Sequence, residues 1–289
     1  MSSVTRFAPS PTGYLHLGHA YSALISAGAA RDAGGRFLLR IEDIDFGRCR
    51  PQFEAAILED LAWLGFVWEE PVRRQSEHLA DYRKALDTLQ AAGLIYPCFC
   101  TRADIRAEIA RAGAAPHGPD GAIYPGTCRV LSATVRAERL DAGELHALRL
   151  DMARAVEAAG ALTWHDRERG DIAADPAPFG DVVLARKDTP TSYHLAVTLD
   201  DHLQGVTLVT RGEDLFEATH VHRLLQALLG SDTPEYAHHV LLRDASGRRF
   251  AKRDRALTLH ELRAAGRTPE WVRGMLVNPA ELSAFLNIL

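Results

Sequence analysis

Two histidines separated by Leu17 and Gly18, in the stretch RFAPSPTGYLHLGHA (residues 6–20), are the first groups in the chain able to act together. Imidazole N–H groups bind phosphate oxygens, and Gly18 between His16 and His19 lets a flat base approach the backbone. Arg6 and Arg211 offer planar forks for carboxylates, and Glu42, in the run Glu42-Asp43-Ile44-Asp45, offers an acceptor for an ammonium. Ser10 and Tyr193 add neutral hydrogen bonds. Together these groups suit a small ligand that carries carboxylates and an ammonium. Glu42, Asp43 and Asp45 equally suit Mg2+, which prefers oxygen ligands. Cys98, Cys100 and Cys128 form a separate set of soft ligands, while Cys49 stands apart. Tetrahedral Zn2+ needs a fourth ligand, and chemistry alone nominates His117. Lysine occurs at positions 84, 187 and 252, and Lys252 lies in the basic stretch RRFAKRD (248–254).

The elements that must position these groups are partly legible. Val4–Phe7 reads as a strand that Pro9 and Pro11 cannot continue, and Pro11-Thr12-Gly13 as a turn. From about Leu17, residues Ala20, Ala23, Leu24 and Ala27 fall on one helical face. The histidines therefore stand at a helix N-terminus, where backbone N–H groups receive anions. Phe37–Ile41 reads as a buried strand ending in the acidic run. Pro51 opens a helix with Phe53, Ile57, Leu61 and Leu64 inward, and Ser76 is expected to cap another carrying Leu79, Tyr82, Leu86 and Leu89, closed by Gly93. Arg6, Glu42 and Arg211 each stand at or just past a strand end, where ligands collect in an open α/β sheet.

The alternation from residue 4 to 96 predicts an α/β fold with a parallel sheet. It resumes at 181–184, 193–197 and 206–210, before a helix from about Leu215 to Leu229. Between them, 97–178 reads as an insertion. It holds three of the four cysteines, the Gly/Pro-rich AGAAPHGPDGAIYPGTC, and a Thr101–Asp104 capping box opening a helix through Ile105 and Ile109 to Gly113. The expected division is 1–96 with 179–245 as the catalytic halves, 97–178 inserted, and 246–289 a basic loop with short helices.

With 289 residues, 47% hydrophobic and 25% charged, the chain can form one elaborate domain or two. A net charge of -5 gives no global argument for nucleic acid, though it leaves room for a local basic patch. No basic region precedes an apolar run at the N-terminus, no apolar run is long enough to cross a bilayer, and four cysteines do not suggest a disulfide framework. A cytoplasmic monomer is expected.

The opening stretch resembles the signature of class I aminoacyl-tRNA synthetases, in the glutamyl/glutaminyl branch, with HLGH at the HIGH motif. FLLRIEDID (37–45), SYHLAVTLDDHLQGVTLVTRGEDL (192–215) and RRFAKRD agree in order and spacing. The resemblance implies a Rossmann-like fold. It implies that Arg6, Phe7, Ala8, Pro9, Ser10, Glu42, Tyr193 and Arg211 bind glutamate, and that His16, Gly18, His19 and Lys252 bind ATP, with His16, His19 and Lys252 catalytic. Mg2+ is expected with ATP. At the KMSKS motif, Arg249-Phe250-Ala251-Lys252-Arg253 keeps only the second lysine, though positive charge is retained.

Cys-x-Cys followed by Tyr-x-x-x-Cys resembles the zinc site of one short glutamyl-synthetase-like family, which implies Cys98, Cys100, Tyr124 and Cys128 around one structural Zn2+. The few residues after the KMSKS-like loop leave no room for an anticodon-reading region, as in the truncated glutamyl-queuosine tRNA(Asp) synthetases. That resemblance implies tRNA-independent activation of L-glutamate by ATP and its transfer to queuosine in the anticodon stem-loop of tRNA(Asp). Two alternatives stand beside it: a minimal glutamyl-tRNA synthetase charging a tRNA 3′ end, and a catalytically idle RNA-binding paralogue.

Overall fold

A computed structural model of the chain describes residues 2–111, 117–119, 121–242 and 258–277. In chain order these begin with β1 (Val4–Phe7), α1 (Leu17–Asp32), β2 (Arg36–Ile41), α2 (Pro51–Trp63) and β3 (Glu69–Arg74). Then come α3 (Leu79–Ala91), β4 (Ile95–Cys98), α4 (Arg102–Arg111), β5 (His117–Gly118), β6 (Gly121–Ala122), α5 (Ala133–Asp141), β7 (Ala147–Leu150) and α6 (Met152–Ala159). After β8 (Thr163–Asp166), β9 (Gly170–Ala173) and β10 (Val183–Ala185) follow α7 (Tyr193–Leu203), β11 (Leu208–Gly212), α8 (Ala218–Leu229), β12 (Glu235–His239), α9 (Leu259–Ala264) and α10 (Pro269–Val277).

Two compact units divide these elements. One comprises Met1–Glu77, Gly205–Phe216 and Pro234–Leu289, the other His78–Gln204 and Glu217–Thr233, so far as their residues are described. In the first, β1 pairs parallel with β2, and β2 with β3. The other side of β1 meets the approach to β11, where Thr207 N–H donates to the Val4 carbonyl at 3.0 Å. β11 in turn pairs parallel with β12. β3-β2-β1 therefore lies beside β11-β12, with β1 adjoining β11 and the strand order reversing between them. α1 covers this point: Thr5 donates to the Ser26 carbonyl at 2.8 Å, and the Ser26 and Thr210 hydroxyls meet at 2.5 Å. The core joins Phe7, Leu17, Leu39 and Ile41 to Ile57 and Leu61 of α2, and to Leu259, Val272 and Met275 of α9 and α10.

The second unit is built differently. β4 and β10 flank β7, all antiparallel, and β8 pairs antiparallel with β9. Tyr82 of α3 donates to the buried Asp200 carboxylate of α7 at 2.9 Å. Asp181 accepts from Tyr96 Oη at 2.5 Å, Arg129 Nη1 at 2.8 Å and Met152 N–H at 3.0 Å. Burial and that carboxylate push the Tyr96 phenol well above its ordinary pKa.

Several expectations need correcting. The parallel reading fails at β4 and β10, which belong to the antiparallel sheet. The run 193–197 is the start of α7, not a strand: Ser192 accepts from Leu195 N–H and caps it, and the buried face continues through Asp200 and Asp201. Ser76 caps nothing. It lies in a 3-10 turn, and its N–H and hydroxyl both donate to Asp43, at 2.8 and 2.5 Å. The chain passes between the two compact units at 77/78, 204/205, 216/217 and 233/234, and within the second unit α3 and α7 pack with α8. Among the described residues, no helix is long and apolar enough to cross a membrane.

Candidate active site and cysteine centre

In an open parallel sheet the crevice lies outside the carboxyl ends of the strands, where strand order reverses. Here that is the space beyond β1 and β11. Arg6, in β1, is 5% exposed and its Nη1 donates to the Thr210 carbonyl at 3.2 Å. Arg211 follows in β11, also 5% exposed, with Nε 3.1 Å from His238 Nε2 and Cζ 5.2 Å from the Tyr236 ring centre. Glu42 is the first residue past β2, and its N–H donates to the Pro9 carbonyl at 3.0 Å, joining two strand ends. Its carboxylate lies 3.4 Å from Nη2 of the fully buried Arg40. The fold thus brings Arg6, Glu42 and Arg211 to the same ends of three neighbouring strands.

The other residues of this stretch divide by burial. Phe7 places its ring in the core, so only its backbone can meet a ligand. Pro9 is buried, Ala8 half-buried and Ser10 exposed. The acidic run does not gather for a cation, because Asp43 holds Ser76 and Asp45 accepts from Arg48 at 2.7 Å.

His16 is the N-cap of α1, as its position predicts. The backbone donors there, however, are not all left for an anion. His16 Nδ1 accepts from Gly18 N–H and His19 Nδ1 accepts from His16 N–H, each at 3.1 Å. With Nδ1 an acceptor, the neutral rings carry their protons on Nε2. The rings stack with centroids 3.8 Å apart. Gly18 also leaves room for the cap: a Cβ there would stand 3.0 Å from His16 Cε1, so the ring would have to shift by a few tenths of an ångström. The same turn receives the chain after the basic stretch, since Thr258 bridges His16 and Leu259 N–H donates to the Leu15 carbonyl at 2.8 Å. Lys252 and the rest of RRFAKRD lie outside the described residues.

In the second unit Tyr193 opens α7, 37% exposed, with its ring 5.7 Å from His222. β4 and the following turn carry Cys98 and Cys100 to Cys128, and the three sulfurs lie within 4.8 Å of one another. Tyr124 Oη is 3.5 Å from Cys100 Sγ and accepts from Cys128 N–H at 2.8 Å. Burial pushes the Cys100 thiol up to about 11 and drives Tyr124 upward too. Burial would also raise Cys128, but the Tyr124 hydroxyl and the Phe99 N–H outweigh it and hold that thiol below its ordinary value. Tetrahedral zinc with bonds of about 2.3 Å sets sulfurs about 3.8 Å apart, so this triad can bind a metal. His117 begins β5, paired with Ala122.

Cations surround the centre. Lys187 donates to the Phe99 carbonyl at 2.7 Å, and Arg149 lies 3.9 Å over the Tyr124 ring. An open cavity of about 980 Å³ beside it is lined by Arg102, Arg149, Arg186 and Lys187, with Phe179 and Tyr193. Sequence reasoning missed Arg149 and His238, and noted Lys187 only as one of three lysines. The alternation Tyr236–His238 hints at a shared strand face, but only the pairing of β11 with β12 sets His238 beside Arg211.

A parallel sheet with a crevice at its reversal is an open α/β fold that takes its ligand outside the strand ends. Residues 3–279 match the catalytic domain of the tRNA synthetases class I (E and Q), and the chain belongs to that family. It is 52% identical to a glutamyl-Q tRNA(Asp) synthetase from Rhodobacter capsulatus over 94% of this chain and 99% of that one. A glutamyl-Q tRNA(Asp) synthetase from Nocardia farcinica is 46% identical, over 94% and 83%. Among solved structures, the glutamate tRNA ligase from Elizabethkingia meningosepticum, in complex with its amino acid, superposes with a TM-score of 0.80 at 29% identity. That match covers 96% of this chain and 61% of the ligase.

Proposed function

We propose that the chain is an ATP-dependent ligase that activates L-glutamate without tRNA and transfers it to the queuosine base in the anticodon stem-loop of tRNA(Asp). The observation that carries this reading is the pair of buried guanidiniums, Arg6 and Arg211, at the ends of adjoining strands, with Glu42 just past the end of the next strand, β2. The relatives of matching length, which bear the glutamyl-Q name, support the choice of acceptor.

In the first step the glutamate α-carboxylate attacks the α-phosphorus of ATP and pyrophosphate departs, leaving glutamyl-adenylate. In the second, a hydroxyl of the queuosine diol attacks the acyl carbon and AMP leaves. No protein nucleophile is needed; positioning and stabilisation of phosphate charge suffice. Arg6 and Arg211 take the side-chain carboxylate, Glu42 takes the ammonium, and the backbone of Phe7-Ala8-Pro9 with Ser10 frames the amino acid. His16 and His19 donate Nε2–H to phosphate oxygens, and Gly18 keeps the cap clear. Lys252 and Tyr193 keep the ATP and glutamate roles that their motif positions imply, and Mg2+ accompanies ATP.

Cys98, Cys100, Cys128 and Tyr124 would hold one structural Zn2+. A bound dication favours ionised ligands and so relieves the crowding of acids seen there. Arginine and aromatic groups around the adjoining cavity suit stacked bases and phosphates, and RNA is assigned to that face. The enzyme works as a cytoplasmic monomer.

The test offers labelled glutamate and ATP to an isolated queuosine-containing anticodon stem-loop. Label on the stem-loop is expected. Label confined to intact tRNA 3′ ends would make the chain a minimal glutamyl-tRNA synthetase, and no glutamate-dependent pyrophosphate exchange would make it an idle paralogue.

A further inference from the structure

Arg211 is held in place through its own side chain. The register pairs it with His238 across β11 and β12, so both side chains leave the sheet on one face. Arginine Nε only donates, so His238 Nε2, at 3.1 Å, is the acceptor and the proton of the neutral ring sits on Nδ1. His238 is itself fixed. It is 4% exposed, Phe216 meets it edge-on with centroids 5.0 Å apart, and Tyr236 lies parallel at 6.0 Å. Tyr236 also underlies the Arg211 guanidinium.

A guanidinium can grip a carboxylate with two parallel bonds in two ways: end-on through Nη1 and Nη2, or side-on through Nε and Nη2. We propose that His238 is a positioning residue for the amino acid's side-chain carboxylate, because by engaging Arg211 Nε it commits the fork to the end-on grip. The inference rests on the reading of this crevice as the glutamate site. It adds a residue that no sequence motif contains. A strand residue at 238 need only be apolar to pack between Phe216 and Tyr236. An acceptor nitrogen aimed at Arg211 goes beyond what packing asks for.

The experiment is glutamate-dependent pyrophosphate exchange by the full chain and three variants: His238→Leu, His238→Gln and Arg211→Ala. Losing a hydrogen bond to a charged group predicts a glutamate KM raised about tenfold or more in His238→Leu. Its ATP KM and kcat should stay within about threefold of the parent. His238→Gln, which keeps an acceptor at about the Nε2 position, should recover most of the loss. An unchanged glutamate KM in a folded His238→Leu protein overturns the inference, as does an equal effect on kcat and both KM values. If Arg211→Ala leaves the glutamate KM unchanged, the reading of the crevice falls instead. Should His238→Leu not fold, the Arg211 Nε–H resonance of the parent decides, assigned through Arg211→Lys. Slow exchange with water is expected, and exchange at the free rate overturns the inference.

Discussion

His16 and His19 lie face to face at the first turn of α1, and each uses Nδ1 to hold a backbone N–H. One ring atom therefore serves stability, which leaves Nε2 for the phosphate-donor role proposed above. His19→Ala should lose about 1 kcal/mol of stability with the cap. It should also lose about 100-fold or more in pyrophosphate exchange with a phosphate-stabilising donor. His19→Asn keeps an acceptor near Nδ1 and nothing at Nε2. Its melting temperature should recover and its rate should not. A variant that recovers both would place the chemistry elsewhere.

Glu42 and Arg40 make a second separable pair. Glu42→Gln removes the charge proposed to receive the ammonium and should raise the glutamate KM about tenfold, with the ATP KM little changed. Measuring both constants by exchange distinguishes this from general damage around the buried Arg40.

The cysteine centre predicts one zinc per chain by elemental analysis. Cys128→Ser should lower that content and the melting temperature together, because binding energy at a structural site is folding energy. Tyr124→Phe should weaken zinc retention against a chelator by about tenfold or more if the phenol oxygen is a ligand. Unchanged retention would return the fourth position to His117.

Asp60 gives a pH dependence. It is fully buried in α2, and burial lifts its pKa to about 6, against the pull of Arg263 and His260. The folded state then binds a proton that the unfolded state, with a value near about 4, has released. Stability from this group is therefore greatest below about pH 4 and falls as pH rises to about 6, after which the loss is complete. Asp60→Asn should be more stable than the parent at pH 7.5 by about 1–3 kcal/mol, with the gap closing towards pH 4. If the parent is the more stable at pH 7.5, the Arg263 pair outweighs the burial.

The parts legible in the sequence were those fixed by local rules. Prolines ended β1, Pro51 opened α2, and the spacing of Ala20 and Ala23 gave the buried face of α1. Arg6, Glu42 and Arg211 could be placed at strand ends because short apolar runs marked β1, β2 and β11 locally. Long-range packing hid the remainder. Tyr193–Val197 has a strand's composition, yet Ser192 caps it and α7 buries it against α8. β3 is written EEPVRR, a charged run that carries no strand signal because it lies at a sheet edge. His238 matters only through the register of a strand pair that local patterns do not specify.

The bond from the Thr207 N–H to the Val4 carbonyl has a bearing on synthesis. At about 5–20 residues per second, a ribosome releases β1 roughly ten seconds or more before its neighbour on that side exists. Meanwhile β1 presents a bare edge to any passing strand, and the carbonyl that Arg6 will meet, at Thr210, has not been made. The pocket is completed late in translation, so a nascent chain stalled before residue 207 should bind no amino acid and should call on chaperones.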